Sequence, residues 1–348
     1  MSDEELGWRG RGPEAHLSLT AEQDQLVRDL WNRAAQARQG LDNTMRLLRD
    51  QSAERGSALV GDKKAKGVEE VDHSLKGLDS LRRKVAVDVS RGADINRVLG
   101  KVNDLNRYTL TFDPENYTQA TQETYTRLKA LGYEPMPGSE KNTWQDPVYK
   151  GINTTWQNQE SGQKFELQFH TPDSFQAKTD NHELYEIARS GHFEQMSAGN
   201  PERARQYHQA ADLLQNERYQ NVVVPPGNEV IGEQKVRAVL NPEVPTERVQ
   251  EVRKMEADLK EQNARKAAER TVPEQGGERE SGRSQGSRSA GVQSKLDALR
   301  AKSERPAQTQ GRSTGQTQQN RTPAQEQNQN RDPQRDSRRT SRQQGPER

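Results

Sequence analysis

Large apolar side chains become scarce in this chain after about Pro245, which limits the part that can form a hydrophobic core. Residues 271–348 are rich in Gln, Arg, Ser, Gly, Glu and Pro, with Leu296 and Leu299 among their few large aliphatic residues. Over all 348 residues, 29% are hydrophobic and 30% are charged. Such a composition cannot offset the conformational entropy of a fully folded chain of this size. We therefore expect one compact domain followed by a long disordered C-terminal tail.

The overall charge and the absence of cysteine exclude several classes of protein. The 53 basic and 52 acidic residues give a net charge of +1, so the total does not indicate a strongly basic nucleic-acid-binding protein. The chain has no cysteine, which excludes disulfide scaffolds, thiol catalysis and Cys-ligated zinc. No apolar run approaches the roughly 20 residues of a membrane span, and the acidic N-terminus is not a Sec signal peptide. We expect a cytoplasmic protein without membrane contact, or, alternatively, one exported by a signal-independent secretion system.

The spacing of the apolar residues predicts a mixture of helices and strands. Alternating apolar residues predict strands at 107–112, 149–157 and Lys164–His170. Helical spacing predicts helices at 26–48 (with Thr20 as N-cap), 68–89, 115–131, 174–189 and 201–218, and a charged helix with almost no apolar face at 246–270. The order of these elements favours an α+β fold in which helices flank a mixed β-sheet.

The predicted strand Lys164–His170 carries the most informative polar residues. Its apolar side chains fall on one face, and Glu166, Gln168 and His170 fall on the other. A charged residue in the middle of a strand is costly unless its face is wet or paired. On periodicity alone, an ordinary half-exposed strand is the more frequent explanation of this pattern.

Other polar residues could complete a cleft above this strand. Tyr149 and Asn153 share one face of the preceding strand, and an exposed Tyr ring there could stack on a base, although core packing would also explain it. If the two strands pair, their polar faces form one floor.

A basic helix and an acidic residue could bind a phosphate and its metal. Lys76, Arg82, Arg83 and Lys84 lie on one face of a predicted helix and suit a polyphosphate, although most basic helix faces are simply solvated. Asp104, just before the first strand, could hold Mg²⁺ or cap a turn.

Taken in order, these residues resemble the RelA/SpoT-type nucleotide pyrophosphokinase (alarmone synthetase) family. The family has a basic helix, a strand entry with Asp and a following Arg, a strand led by Tyr, and a Glu-x-Gln-x-Arg/His-Thr strand. The corresponding residues here are Lys76 to Lys84, Asp104-Leu105-Asn106-Arg107, Tyr149-Lys150-Gly151-Ile152-Asn153 and Glu166-Leu167-Gln168-Phe169-His170-Thr171, with His182-Glu183-Leu184-Tyr185-Glu186 following. The chain looks closest to the actinobacterial branch, which includes secreted nucleotide 3′-pyrophosphokinases and toxin-like domains.

The resemblance implies Mg²⁺-dependent transfer of pyrophosphate from ATP to the 3′-hydroxyl of a guanosine or adenosine nucleotide. Glu166 would be the general base and, with Asp104, would bind Mg²⁺. Tyr149 would stack on the acceptor base. The implied nucleotide-binding residues are Lys76, Arg83, Lys84, Arg107, Tyr149, Lys150, Asn153, Gln168, His170 and His182.

Composition, apolar spacing and the resemblance together divide the chain into segments. These are a flexible leader at 1–19, a helical segment at 20–57, a synthetase-like domain at 58–228, a linker with a charged helix at 229–270 and a disordered tail at 271–348.

The chain departs from the family pattern at three positions. Ser74 stands where the family has Arg, so a phosphate contact is either missing or supplied by Arg82; Asn153 replaces a His, and His170 replaces an Arg. Alternatives therefore stay open: toxin-like pyrophosphorylation of a tRNA 3′ end, a catalytically inactive nucleotide- or RNA-binding module, or an RNA-binding adaptor whose tail contacts phosphates. Expected partners are ATP and an acceptor nucleotide, with tRNA and an immunity (antitoxin) protein as further candidates.

Overall fold

The computed structural model describes residues 6–11, 15–62 and 71–270, all within the first of two units, which ends at Arg305. The helices of these residues are α1 (Ala21–Asp50), α2 (Leu78–Ser90), α3 (Ile95–Gly100), α4 (Tyr117–Ala130), α5 (Pro172–Asp180), α6 (His182–Arg189), α7 (His192–Met196), α8 (Pro201–Tyr219) and α9 (Thr246–Arg270). The strands are β1 (Leu6–Arg9), β2 (Ser18–Thr20), β3 (Ala58–Leu59), β4 (Arg107–Thr111), β5 (Tyr133–Pro135), β6 (Lys141–Asn142), β7 (Ile152–Asn158), β8 (Lys164–His170) and β9 (Glu233–Gln234). The tail predicted at 271–348 lies outside the described residues.

A mixed β-sheet is the centre of the molecule. Its strand order is β3-β4-β8-β7-β6-β9, with β5 also paired to β7. Strand β4 runs parallel to β8, whereas β7 runs antiparallel to β8. The predicted α+β class with a mixed, helix-flanked sheet is therefore confirmed.

The central strands separate an apolar face from a polar face. Each of β4, β7 and β8 alternates, and the register places the apolar residues of neighbouring strands side by side. The core residues of this face are Tyr108, Leu110, Ile152, Trp156, Phe165, Leu167 and Phe169, all nearly inaccessible. Helices α1 and α4 contribute to the same core through Met45, Leu48 and Tyr117. The opposite face is thus left to the polar side chains.

Residues 6–11 and 15–19 are more ordered than a flexible leader, which was predicted at 1–19; the rest of that segment lies outside the described residues. Strands β1 and β2 pair antiparallel, and Leu19 is fully buried in a second core with α1 and α2. The predicted N-cap is confirmed, because Thr20 accepts a hydrogen bond from the Gln23 amide (3.2 Å) and donates its own amide to the Gln23 side chain (3.0 Å).

Two predicted elements start later than expected. Of the helix predicted at 68–89, residues 68–70 lie outside the described residues and α2 begins only at Leu78, because Val71 and Leu75 form β-bridges that extend the backbone before the helix. Strand β7 begins at Ile152 rather than at Tyr149. The Asp146 carboxylate accepts the amides of Val148 (2.9 Å) and Tyr149 (3.2 Å), which holds this stretch in a turn.

Two helical predictions need correction as well. The single helix predicted at 174–189 is two helices, α5 and α6, which meet at Asn181. Helix α9 has the predicted bounds and was expected to have almost no apolar face, but Val252 is fully buried against α6 and α8 in a third core. A few apolar residues at helical spacing suffice because α6 and α8 present the complementary surface.

Candidate functional site

Asp104 and Glu166 meet at one guanidinium group on the polar face of the sheet. Arg107 donates from Nε to Glu166 Oε2 (3.1 Å) and from Nη2 to Asp104 Oδ2 (3.3 Å). The parallel register of β4 and β8 places Arg107 directly opposite Glu166, and Asp104 lies just before β4. The two carboxylates are mostly covered, with 17% and 18% of their side chains exposed.

Two lysines bind Asp104 from the side of α2. Lys76 Nζ lies 2.7 Å from Oδ2, and Lys84 Nζ lies 2.9 Å from Oδ1. Lys76 is fixed before the helix because its amide donates to the Leu105 carbonyl (2.8 Å). Burial raises the pKa of Asp104, but the hydrogen bonds and charges of the two lysines outweigh it and hold the pKa well below its usual range. Asp104 therefore stays ionised at physiological pH.

Glu166 is held on its other side by Gln168. Gln168 Nε2 donates to Glu166 Oε1 (2.6 Å), while Gln168 Oε1 accepts from Thr109 Oγ1 (3.2 Å) and from Lys178 Nζ. Burial and the nearby charge of Arg107 together lower the pKa of Lys178 to about 8, and the opposing charge of Glu166 only partly offsets them. Lys178 was not singled out from the sequence, although it follows Ser174 by one helical turn and so shares the face of α5 that meets β8.

We call Asp104, Glu166 and the four cations Lys76, Lys84, Arg107 and Lys178 the ionic cluster. Four positive side chains surround two negative ones, and the cluster is partly open to solvent at Arg107 and Lys84 (46% and 39% exposed). The excess positive charge is suited to a polyanion such as a polyphosphate.

Tyr149, Asn153 and His170 form a second group beside the ionic cluster. The Tyr149 hydroxyl donates to Asn153 Oδ1 (3.0 Å) and lies 3.2 Å from His170 Nε2, while His170 Nδ1 lies 3.0 Å from Ser174 Oγ. Burial raises the pKa of Tyr149, and the charges of Glu166 and Arg107 also act on its hydroxyl. The half-buried Tyr149 ring is therefore anchored next to the proposed base.

His170 is fully buried, in contrast to a residue that lines an open phosphate site. Burial and the charge of Lys178 hold its pKa well below the usual value, so the ring is neutral. A Cβ at position 151 would come within 2.5 Å of His170 Cε1, so only Gly151 lets the chain pass this close. The contacts of His170 make it a support for Tyr149.

Three other residues of the predicted set lie elsewhere or at the margin. Lys150 directs its amino group to the carbonyl oxygens of Trp144 (3.1 Å) and Asp146 (3.3 Å). The His182 side chain is 62% exposed at the start of α6, with its ring 3.8 Å from Glu183. Arg83 is exposed on α2, one residue before Lys84.

Ser74, which stands where the resembled family has Arg, and Arg82, which could have replaced that Arg, both bind other residues of the chain. Ser74 is fully buried and accepts a hydrogen bond from Arg38 Nε (2.9 Å), next to the buried Asp42 carboxylate that accepts from Tyr108 (2.7 Å). Arg82 lies on Asp24 of α1 (2.7 Å). Neither side chain is part of the ionic cluster.

The two carboxylates fit a magnesium ion that is shared with a ligand. Within residues 6–11, 15–62 and 71–270, no group of three or more His, Asp or Glu side chains is placed to hold a metal ion. Protein-bound Mg²⁺ commonly has one or two carboxylates and takes its remaining ligands from water and phosphate. Ionised Asp104 beside Glu166 provides such a donor set.

None of the helices in the described part of the chain is long and apolar enough to cross a membrane.

The comparisons with known proteins give only weak structural similarity. No protein-family model matches the chain, and no curated protein matches it. Among solved structures, smu.1046c from Streptococcus mutans UA159 is similar at 16% identity and a TM-score of 0.32, covering 54% of this chain and 91% of that one. A similarity this low does not assign a family.

Proposed function

We propose that this chain is a Mg²⁺-dependent nucleotide pyrophosphokinase. It would transfer the β,γ-pyrophosphate of ATP to the 3′-hydroxyl of a guanosine or adenosine nucleotide. The observation that carries the proposal is the joining of Asp104 and Glu166 through Arg107, on a sheet face surrounded by lysines. The resemblance to the RelA/SpoT-type synthetases is consistent with this arrangement.

Three cations of the ionic cluster, Lys76, Lys84 and Arg107, would bind the triphosphate. Lys84 and Arg107 are partly exposed and could exchange their carboxylate contacts for phosphate oxygens. Such charge-assisted hydrogen bonds are about twice as strong as neutral ones. Transfer of a phosphoryl-type group depends mainly on in-line positioning and on neutralising the charge of the transferred group.

Asp104 and Glu166 would hold the magnesium ion, which supplies positive charge to the phosphates when it is bound. Asp104 suits this role because its carboxylate is ionised at every physiological pH. The two lysines on Asp104 keep it oriented toward the cluster.

Glu166 would accept the proton of the acceptor. The 3′-hydroxyl oxygen forms a bond to the β-phosphorus of ATP, and the bond from that phosphorus to the α,β-bridging oxygen breaks. AMP leaves with the bridging oxygen, and the hydroxyl proton passes to Glu166. Tyr149 lies close enough for its hydroxyl to experience the charge of Glu166, which suits a residue that positions the acceptor base.

The test uses Glu166→Gln and a matched control in the same sheet. Purified full-length protein is incubated with radiolabelled ATP and Mg²⁺, and with GDP, GTP, ADP or tRNA as acceptor. The wild type is expected to form a labelled product with at least one acceptor, and Glu166→Gln to lose at least about 100-fold in rate because the base is gone. Glu134→Gln, at an exposed position of β5, should retain activity, and EDTA should abolish it.

Binding without catalysis is the second candidate, because Arg107 occupies both carboxylates in the structure. This alternative predicts saturable binding of ATP with no transfer to any acceptor of the panel. A wild-type chain that binds ATP but forms no product would overturn the pyrophosphokinase proposal. An activity that is unchanged in Glu166→Gln would remove Glu166 as the base.

A further inference from the structure

Lys178 reaches the ionic cluster from α5, and it was not among the site residues that the sequence predicted. It is the eighth residue after His170, at the end of β8, and its amino group contacts Gln168 on the same strand. We propose that Lys178 is a positioning residue that orients the proposed base, Glu166, through the carboxamide of Gln168. This inference rests on the proposed function and adds a residue to its site.

The direction of the hydrogen bonds follows from the chemistry of the groups. A protonated lysine donates and cannot accept, so the Gln168 atom that faces Lys178 must be the carbonyl oxygen. Thr109 Oγ1 lies 3.2 Å from the same oxygen and can donate to it. The amide nitrogen of Gln168 is then the atom that faces Glu166 Oε1, at 2.6 Å. Without Lys178, the accepting Glu166 carboxylate would still favour this orientation, but only Thr109, whose hydroxyl can donate or accept, would hold the carbonyl end of the carboxamide.

The local sequence explains why the lysine is held in this place. Thr171 caps α5 by accepting the Ser174 amide (3.2 Å), and Ser174 Oγ accepts the Thr171 amide (3.0 Å), which fixes the rotation of the helix. Lys178 is four residues after Ser174 and therefore lies on the same face. Its amino group also lies 5.3 Å from the centre of the Phe175 ring, a cation–π contact.

The Gln168 contact differs from the other contact of Glu166 in its exposure. Arg107 holds Oε2 but is 46% exposed, so a phosphate can compete for it. Gln168 is only 5% exposed and is tied to Thr109 and Lys178. The Lys178–Gln168 pair therefore keeps Glu166 in place when Arg107 exchanges its contact with Glu166 for a substrate phosphate.

The kinetic test compares Lys178→Met with Lys178→Arg. Met has a similar length but no donor, so kcat should fall about 10- to 100-fold, as is typical when a supporting contact of an active group is removed. KM for ATP should change less than about threefold, because the lost contact acts on the base rather than on binding. Arg keeps a charged donor and should recover at least part of kcat. Lys129→Met, at an exposed lysine of α4, is the control and should match the wild type.

A double variant tests whether Lys178 acts through Gln168. If it does, adding Lys178→Met to Gln168→Leu should lower kcat no further than Gln168→Leu alone. Additive losses, or an unchanged kcat in Lys178→Met while the wild type is active, would overturn the inference and leave the proposed function standing.

A spectroscopic measurement separates this inference from the proposed function. The side-chain amide signal of ¹⁵N-labelled Gln168, assigned by its loss in Gln168→Leu, should shift in Lys178→Met and in Glu166→Gln, and stay in Lys129→Met. A signal that Lys178→Met leaves in place overturns the inference whether or not the protein is active. If the signal shifts and the wild type transfers pyrophosphate to no acceptor, the hydrogen-bonded connection is supported and the proposed function fails.

Discussion

Lys178 is a positive charge that the fold keeps largely away from water. The charged groups near its amino group are Arg107, which lowers the pKa of Lys178, and Glu166, which raises it. The His170 ring also faces Lys178 and is neutral. Burial is the largest effect, and together with Arg107 it lowers the pKa of Lys178 from 10.5 to about 8. Burying the protonated Lys178 therefore lowers the stability of the folded state at neutral pH, which an exposed lysine does not do. This loss of stability should be measurable.

The stability of the protein should rise with pH in the window set by Lys178. Between pH 8 and 10.5 the unfolded chain binds a proton at this side chain that the folded chain does not, so raising the pH favours the folded state. Below pH 8 both states are protonated and the full cost is present. The free energy of unfolding of the wild type, minus that of Lys178→Met, should increase by up to about 3 kcal/mol across the window, at about 1.4 kcal/mol per pKa unit. Urea unfolding at several pH values measures this difference, and a difference that does not vary with pH would contradict it.

At the scale of single residues, the sequence located some side chains of the candidate site and missed others. Alternation within one strand was enough to place Glu166 and Gln168 on a common polar face, because strand register leaves no other choice. Lys178 could not be found in the same way. Its role depends on the rotation of α5, which a capping interaction sets, and on which strand that helix covers. Lys150 was expected at the nucleotide site, but its amino group satisfies two carbonyl oxygens of its own turn instead.

At the scale of elements, the local sequence pattern located some strands correctly, but long-range contacts decided where other elements begin. Strand β8 lies where the alternation predicts, and β4 differs from its prediction by one residue. By contrast, α2 and β7 start late because a bridge and an aspartate turn compete with the regular structure that the local sequence favours. The bounds of helix α9 were predicted, but its packing was not, because its narrow apolar face is recognisable only from its contacts with α6 and α8.

The buried face of α9 can be tested with two valines. Val252 is fully buried in the third core, and Val236 is 60% exposed after β9. Val252→Ala should lower the free energy of unfolding by about 2 kcal/mol, because two methyl groups leave a packed interior. Val236→Ala should change it by less than about 0.5 kcal/mol, as most surface substitutions do. Equal effects of the two substitutions, measured by urea denaturation, would show that α9 does not pack as described.

At the scale of the molecule, the fold class followed from the sequence, whereas the division of the core did not. The order of the predicted elements and the alternation of apolar residues indicated a mixed sheet with flanking helices, which the structure has. In the ranges that the structure describes, the buried apolar residues form three clusters: one on the sheet, one between α1 and α2 with β2, and one among α6, α7, α8 and α9. Such a division depends on which helices contact one another, and apolar spacing within each helix carries no information on its partner.

The placement of these clusters leads to a prediction about shortened chains. Their fully buried residues extend from Leu17 to Val252, so a chain that ends at Arg270 keeps all of them. Its melting temperature should therefore match that of the full chain within about 2 °C, because less than about 0.5 kcal/mol is lost. A chain that ends at Pro245 loses Val252 and should melt several degrees lower, since about 1 kcal/mol already shifts a domain of this size by roughly 2–4 °C. Calorimetry on the three chains decides the matter: a clear loss of stability on removing residues 271–348 would mean that the tail contributes to the folded core, against what its composition predicts.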